Sequence, residues 1–390
     1  MVATNTIRTF SNVIPQPQIF VVNQTDNANQ RDESSRLHIA LRNVNMSVVN
    51  AIRRTILEDI PIVGVKTTPY AENQANFLVN TSSLNNEILK QRLSCIPFII
   101  NPADESFTSL RLEIDVENNE EGMKYVTTDD FKLINIETGN ELTESQMREI
   151  LPHDDITGDP ILFARLRPPM SQDNKGEHLK LNATFSRVTG RDSGTFNSVS
   201  CATYKMTENE AEQKRVWSQL RGKYGKEGLS EEEIESKYKN WKIHEAKRLT
   251  APDSFEFFIE ALNVYSNRET FKIACGILMS KFDSYKNTEN NDYISFEKKQ
   301  YNMPNCYEIN IKNDDYTTGK MMEYIIYEKF FKEGVVSYVG FVKVHPHDTD
   351  SIIRLCFANK DDANDDMMRK IIFESCEEAY DVFNILNNSI

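Results

Sequence analysis

Apolar residues along this chain change their spacing several times, and each change marks the edge of an element. Leu37, Ile39 and Leu41 alternate with polar neighbours, the pattern of a half-buried strand. Val49, Ile52, Ile56 and Ile60 then recur at helical steps, so residues 47–59 are expected to form a helix with one apolar stripe and Ser47 at its N-cap. Pro61 ends that run, because proline lacks the N–H a helix needs and disfavours helical geometry in the residue before it. A second short helix is expected over 81–93, with Leu84, Ile88 and Leu93 inward. Alternation returns at Leu110, Leu112, Ile114 and Val116, and 129–136 reads as a further strand. Residues 159–204 read as strand-rich, punctuated by Pro168, Pro169, Gly176, Gly190 and Gly194.

Charge dominates 207–247, where Ser230 followed by Glu233 has the form of a capped helix start on a solvated surface element. Residues 255–261 are strand-like, and Phe271, Ala274, Cys275, Leu278 and Phe282 then share one helical face. The polar, aperiodic residues 283–304 read as a linker. A compact unit is expected beyond it: a strand at 307–311, a helix at 318–331, strands at 335–344 and 352–357, and a long helix at 365–387. Ile372, Ala379, Val382, Phe383 and Leu386 line one side of that last helix. Residues 1–35 are rich in Asn, Gln, Thr and Ser and are expected to be mostly loosely ordered, with a first strand at 19–22.

Composition narrows the class. At 390 residues and 45.0 kDa there is room for two or three domains with their own cores. No apolar run approaches the roughly 20 residues that cross a bilayer, and the first residues lack a basic stretch followed by an apolar one. The six cysteines are scattered without a CxxC pair, which points to reduced thiols in an intracellular compartment. Lys and Arg number 45 against 59 Asp and Glu, a formal net charge of −14, so the surface as a whole does not suit nucleic acid and a protein partner is favoured.

Asn50-Ala51-Ile52-Arg53-Arg54 running to Glu58-Asp59-Ile60-Pro61 resembles the signature helix of the alpha-like subunits of multisubunit RNA polymerases. Asn80-Thr81-Ser82-Ser83-Leu84-Asn85-Asn86-Glu87, Arg92-Leu93 and Ile96-Pro97 resemble the next block of the eukaryotic third subunit and archaeal D. Leu179-Lys180-Leu181 and Ser200-Cys201-Ala202-Thr203-Tyr204 resemble the end of that family's inserted domain. Beyond about residue 300 the chain resembles the smaller partner, the eukaryotic eleventh subunit or archaeal L. Its Asp-His-Thr-Leu-Gly-Asn motif appears as Asp315-Tyr316-Thr317-Thr318-Gly319-Lys320, with histidine, leucine and asparagine replaced, and Gly340-Phe341 and His345-Pro346-His347 match in part. Fusion of the two resembles the arrangement in large cytoplasmic DNA viruses.

The resemblance implies an α+β fold. A dimerisation domain of residues 1–65 and 250–290 is split by a mostly-β domain of 66–249, whose charged helical segment covers about 207–249. A linker at 283–304 leads to a smaller α+β dimerisation domain at 305–390, and the two units form an intramolecular pseudo-heterodimer with no homodimer expected. Val49, Ile52, Ile56, Phe271, Cys275, Leu278 and Phe282 are expected to meet Met322, Ile325, Ile326, Ile372, Ala379, Val382, Phe383 and Leu386 at that interface. Asn50, Arg53, Arg54 and Glu58 are assigned to partner contact, since guanidinium forks suit carboxylates and backbone carbonyls. Asp315 and Thr317 are assigned to capping the following helix.

The implied function is a non-catalytic assembly platform of a DNA-directed RNA polymerase. Its partners would be the largest and second-largest subunits and the small tenth- and twelfth-subunit-like ones, with DNA contacts at most indirect and no membrane. No catalytic residue, cofactor or metal is expected in this chain, magnesium belonging to the catalytic subunits. A viral source would place it in host cytoplasm and virion.

Two other classes compete. A metal-dependent hydrolase could draw on His345 and His347, alternate residues of an expected strand, or on His153-Asp154-Asp155, but neither set has an obvious third ligand or a rigid element beneath it. Residues 361–366 have the acidic look of a calcium loop without the glycine at its sixth position, and capping of the last helix accounts for them better. Only Cys95 and Cys201 lie where some relatives carry a cysteine-rich metal loop. A free-standing nucleic-acid-binding or regulatory adaptor could use Lys214, Arg215, Trp217, Arg221, Lys223, Lys226, Lys237, Lys239, Trp241 and Lys242, which mix bases and aromatics. Equally dense acids there favour an amphipathic surface element.

Overall fold

The computed structural model describes residues 14–23, 36–170, 175–262, 264–288 and 291–390. Most of the N-terminal stretch expected to be loosely ordered lies outside these residues. Gln18–Asn23, which contains the expected first strand, is β1 and pairs antiparallel with β2 (Leu37–Arg42). Alternation in β2 puts Leu37, Ile39 and Leu41 inward beneath α1 (Met46–Glu58). Asn45 caps this helix in place of Ser47, its side chain accepting the Ser47 N–H at 2.9 Å. Asn43, at φ 56°, turns the chain from strand to cap, a conformation asparagine tolerates better than most residues.

A second core follows. β3 (Ile62–Gly64) pairs with β10 (Ser186–Val188), and a four-stranded sheet has the order β4 (Ala75–Asn80), β9 (His178–Thr184), β5 (Leu110–Glu117), β7 (Phe131–Asn135). β6 (Lys124–Thr127) pairs with β8 (Leu162–Leu166), and α3 spans Glu144–Ile150. The expected helix over 81–93 is shorter: α2 runs Asn86–Ser94, because Asn85 accepts the Ile88 N–H and starts the helix there. That start turns Ile88 outward, and Leu89 and Leu93 fill the core.

β11 (Val199–Glu208) falls within the 66–249 stretch, yet it pairs with β12 (Thr250–Ala261) in the sheet β1-β2-β12-β11, and its Val199 and Ala202 join the first core. Between these strands the charged stretch forms a helical hairpin, α4 (Glu210–Lys226) and α5 (Glu231–His244), with Ser230 and Glu233 as the capping box of α5. α6 spans Asn267–Tyr285.

The expected linker at 283–304 is partly structured. α6 takes its first residues, and Ile294–Lys299 is strand β13, whose Ile294 and Phe296 pack on the core while its polar residues face out. A single edge strand with polar alternate positions carries little apolar signal, which is why periodicity missed it. β14 (Cys306–Ile311), α7 (Tyr316–Ile326), β15 (Val336–Val342), β16 (Ser351–Phe357) and α8 (Asp365–Ser389) complete the unit, in the sheet order β13-β14-β16-β15. The expected 318–331 helix begins two residues earlier and ends in a π turn over Tyr327–Phe331. Asn364 caps α8 by accepting the Met367 N–H.

The reduced-thiol expectation fails at one pair. Cys306 and Cys356 lie directly opposite each other on β14 and β16 and form a disulfide, a pairing that their sequence separation of 50 concealed. Cys275 and Cys376 are buried free thiols.

One core runs through both halves. Val49, Ile52, Ile56, Phe271, Cys275, Leu278 and Phe282 belong to the same buried cluster as Met322, Ile325, Ile326, Ile372, Ala379, Val382, Phe383 and Leu386. α1 packs on α7 and α6 on α8, where the Phe282 and Phe383 rings stack at 6.0 Å. At about 25 cal/mol per Å² of apolar surface, such continuous burial outweighs any surface ion pair.

Candidate functional site

The residues singled out on α1 converge on a polar joint at the rim of that core. Arg54 Nη2 donates to Asp315 Oδ2 at 2.5 Å and its Nε to Thr317 Oγ1 at 2.9 Å, and Glu58 lies 3.2 Å away one turn along α1. Helical periodicity places Arg54 beside the apolar stripe, where the N-terminus of α7 meets it, so the residue expected to contact a partner has bonds within the chain. Arg53 folds back on Asn50, donating to Oδ1 from Nε and Nη2 at 3.1 and 3.0 Å, and stays half-exposed.

Asp315 works in two directions. Its Oδ1 accepts the Thr317 N–H at 3.1 Å and caps α7, while Oδ2 takes the Arg54 guanidinium. Thr317 does not add a second cap; its hydroxyl donates to Asp315 and accepts from Arg54. Burial alone would push the Asp315 carboxyl up, yet the Thr317 N–H, the Arg54 charge and the Thr317 hydroxyl hold it below its ordinary value.

Three residues extend the joint that the sequence did not single out. Lys281 of α6 reaches Asp59 at 2.9 Å and Asp314 at 3.4 Å. Burial opposes its charge, but Asp314 and Asp59 outweigh that and raise its pKa. Tyr285 donates to Asp314 at 3.1 Å, and burial, with that carboxylate beside it, pushes the phenol up. Arg191, from the loop after β10, reaches Asp59 at 2.9 Å and Glu58 at 3.3 Å. Burial works against its charge too, and Asp59 and Glu58 overcome it.

Gly190 lets that loop approach: a Cβ there would sit 2.1 Å from the Leu57 carbonyl oxygen, and the adjacent Arg191 N–H donates to the Glu58 carbonyl at 2.9 Å. The joint thus fastens α1, α6, α7 and the second core to one another. The sequence singled out Arg54, Glu58, Asp315 and Thr317 but not their meeting, because the bond from Arg54 to Thr317 spans 263 positions and leaves no local trace.

His345 and His347 lie in an exposed turn beyond β15, not on a strand, and the His347 N–H donates to His345 Nδ1. His153 pairs with Asp129 at 2.7 Å. No group of three or more His, Cys, Asp or Glu among the described residues is placed to hold a metal. Trp217, Tyr224, Tyr238 and Trp241 are half-buried and lie against one another between α4 and α5, with the Tyr238 and Trp241 rings stacked.

Sheets and helices are mixed throughout, with α1 packed on α7, α6 on α8 and an ion-pair joint at their rim, an α+β fold built around packed helices. Residues 38–282 match the RNA polymerase Rpb3/Rpb11 dimerisation domain family, and the chain belongs to that family. It is 26% identical over 265 residues to DNA-directed RNA polymerase subunit Rpo3 of Pyrococcus horikoshii, covering 63% of this chain and 91% of that protein. Rpo3 of Pyrococcus furiosus is 25% identical over 267 residues, covering 64% and 91%. DNA-directed RNA polymerases I and III subunit RPAC1 of Saccharomyces cerevisiae is 28% identical over 189 residues, covering 43% of this chain and about half, 52%, of that protein. The family match ends before β13. No described helix is long and apolar enough to cross a membrane.

Proposed function

We propose that this chain is a non-catalytic assembly subunit of a DNA-directed RNA polymerase, in which two dimerisation units are joined covalently into an internal pseudo-heterodimer. The observation that carries this reading is a repeat of topology. β1, β2, α1, β11, β12 and α6 occur in the order of β13, β14, α7, β15, β16 and α8, and the sheets β1-β2-β12-β11 and β13-β14-β16-β15 match strand for strand. The domain of 66–249 would then be an insertion after α1, returning to the split unit at β11.

Joining the units makes their encounter intramolecular, at an effective concentration of millimolar order for a short flexible connection. A platform so preassembled would present one fixed surface to the largest and second-largest subunits and to the small tenth- and twelfth-like ones. On that surface Asn50 and Arg53 remain candidates for contact, whereas Arg54 and Glu58 are committed to the internal joint. The fusion follows the viral arrangement, and the chain needs no cofactor of its own.

Affinity purification of the full chain from cells making the complete polymerase, with quantitative mass spectrometry, tests the function. The two largest polymerase subunits should be recovered at equal stoichiometry, and their absence would overturn it. Light scattering of the isolated chain should give about the 45.0 kDa of one copy.

A further inference from the structure

The topological repeat extends to individual residues: Asn43 and Asn313, each at positive φ, precede the two helix caps, Asn45 and Asp315. In the same frame Leu41 opposite Phe255 corresponds to Ile311 opposite Ser351. Counting back along both strands then brings Arg36 to the place of Cys306, and Glu260, which Arg36 reaches at 3.2 Å, to the place of Cys356. Each unit thus ties its two central strands at the same rung, on the face of the sheet turned away from the helices. The N-terminal unit uses an exposed ion pair, and the C-terminal unit uses a disulfide.

The disulfide is sealed even though it stands on that outer face, for Cys306 and Cys356 are 0% and 1% exposed. Lys299 of β13 pairs with Cys306, and the chain then turns through residues 300–305, where Asn305 at φ 57° leads into β14. Tyr301 lies beyond the Cys306 rung, yet its hydroxyl donates to Glu308, inside that rung, at 2.6 Å. Arg354 of β16 reaches the same carboxylate at 2.7 Å and lies 4.2 Å from the centre of the Tyr301 ring. The loop is thereby clasped back across the outer face, over the rung that carries the two sulfurs.

We propose that Cys306 and Cys356 form a redox latch on the C-terminal unit and that the Tyr301 clasp gates its reduction. Thiol–disulfide exchange needs a thiolate to reach a sulfur, which the closed clasp prevents. When the clasp opens, the thiolate of a dithiol reductant attacks one of the two sulfurs; the S–S bond breaks and the departing cysteine thiolate takes up a proton. The reductant's second thiolate then displaces the other cysteine from the mixed disulfide, so two electrons pass to the pair and the reductant leaves as a disulfide. Strand pairing survives this exchange, because the Phe357 N–H donates to the Asn305 carbonyl at 3.1 Å beside the rung. What is lost is the covalent closure of a loop whose ends are 50 positions apart, so reduction lowers stability and leaves the fold in place. That loop contains α7, which packs on α1, so the latch also sets how firmly the two units are held together. Cys275 and Cys376 stay out of the exchange, since they lie in the core and burial pushes both thiols up.

The test uses the purified full chain, prepared without added thiol and treated with dithiothreitol under native conditions. Samples are quenched in acid, unfolded and alkylated for peptide mass spectrometry. Before reductant is added, only Cys306 and Cys356 should escape alkylation. Tyr301→Phe keeps the ring but loses the bond to Glu308, and it should speed their reduction about tenfold, the size of a hydrogen bond to a charged group. Tyr301→Ala also loses the contact with Arg354 and should be faster still. In denaturant all three chains should be reduced at one rate. Reduction should lower the Tm of the parent by about 5 °C. The double variant Cys306→Val/Cys356→Val should melt within about 2 °C of the reduced parent and ignore dithiothreitol. Alkylation of both cysteines before reductant, equal rates for the parent and Tyr301→Phe, or a Tm that dithiothreitol does not move overturns the proposal. Should the double variant fail to fold, the reduction rates and the melting of the unchanged chain decide the matter without it.

Discussion

Removing the Arg54 side chain should loosen the tie between the two units without disturbing either core, and Arg54→Met does this while keeping the bulk that lies along α1. Breaking a buried ion pair by deleting one partner costs about 3–5 kcal/mol, and an exposed pair is worth under about 1 kcal/mol. The Arg54 and Asp315 side chains are 21% and 14% exposed, and Asp315 keeps its bonds from the Thr317 N–H and hydroxyl. The expected loss lies between the limits, at about 2 kcal/mol, or a fall in Tm of about 2–3 °C for a protein of this length.

A double-mutant cycle with Asp315→Asn isolates the pair, and its coupling should be about 1.5 kcal/mol. Arg54→Lys should fall in between, because an ammonium cannot span Asp315 and Thr317 as the guanidinium fork does. Asp315 has a lowered folded pKa, so its contribution is complete above the unfolded value of about 3.9 and disappears as pH falls through the folded one. The gap between wild type and Arg54→Met should therefore be flat from pH 5 to 8 and close in acid. Single mutants whose effects add to within about 0.5 kcal/mol would refute the joint.

Gly319→Ala would set a Cβ 2.1 Å from the Phe341 ring and should cost about 1–3 kcal/mol in urea unfolding, with Phe341→Ala restoring part of the loss in the double mutant. Phe383→Ala should cost about 3–5 kcal/mol and shift one shared transition, since its ring stacks on Phe282 in a core common to both units; two separate transitions would contradict that core. Replacing residues 209–249 by Asn-Gly should leave Tm within about 2 °C, because Glu208 already pairs with Thr250 and a two-residue turn closes such strands. Lys281 has a raised folded pKa, so its stabilisation is present below the unfolded value of about 10.4 and lost as pH rises through the folded one; the advantage of wild type over Lys281→Met should hold to pH 9 and shrink beyond it in thermal melts.

What the sequence disclosed and what it hid divide along physical lines. Apolar spacing located α1, α6, α7 and α8 and named the residues of their shared core, because a helix must turn its apolar stripe inward whatever it packs against. Boundaries slipped where side chains compete for backbone N–H groups: Asn45 was passed over for Ser47, and Asn85 shortened α2. β13 was read as linker because an edge strand shows little apolar signal. Arg54 was singled out as a contact residue, but its partner within the chain was not foreseen. Its position beside the stripe was legible, but the carboxylate it meets comes from the far end of the chain, and nothing in local sequence encodes an ion pair across that distance.

The repeat within the chain explains why the polar positions were hard to read and why they matter. Buried places on α1 and α7 coincide, since each must fill the same crossing, although the residues differ, Val48 against Thr318 and Thr55 against Ile325, and the polar places beside them differ too: Asn45 against Asp315, Arg54 against Tyr324, Asn50 against Lys320. One side of the crossing closes on itself through Arg54, while Arg191 braces the C-terminal end of α1, which fixes how α1 sits against α7. The other carries the neutral cap Asn45 and the rings of Tyr204, Tyr324 and Tyr327 around an open cleft, with Lys320 and Glu323 paired in its wall, so its polar groups tie α7 to itself and not to α1.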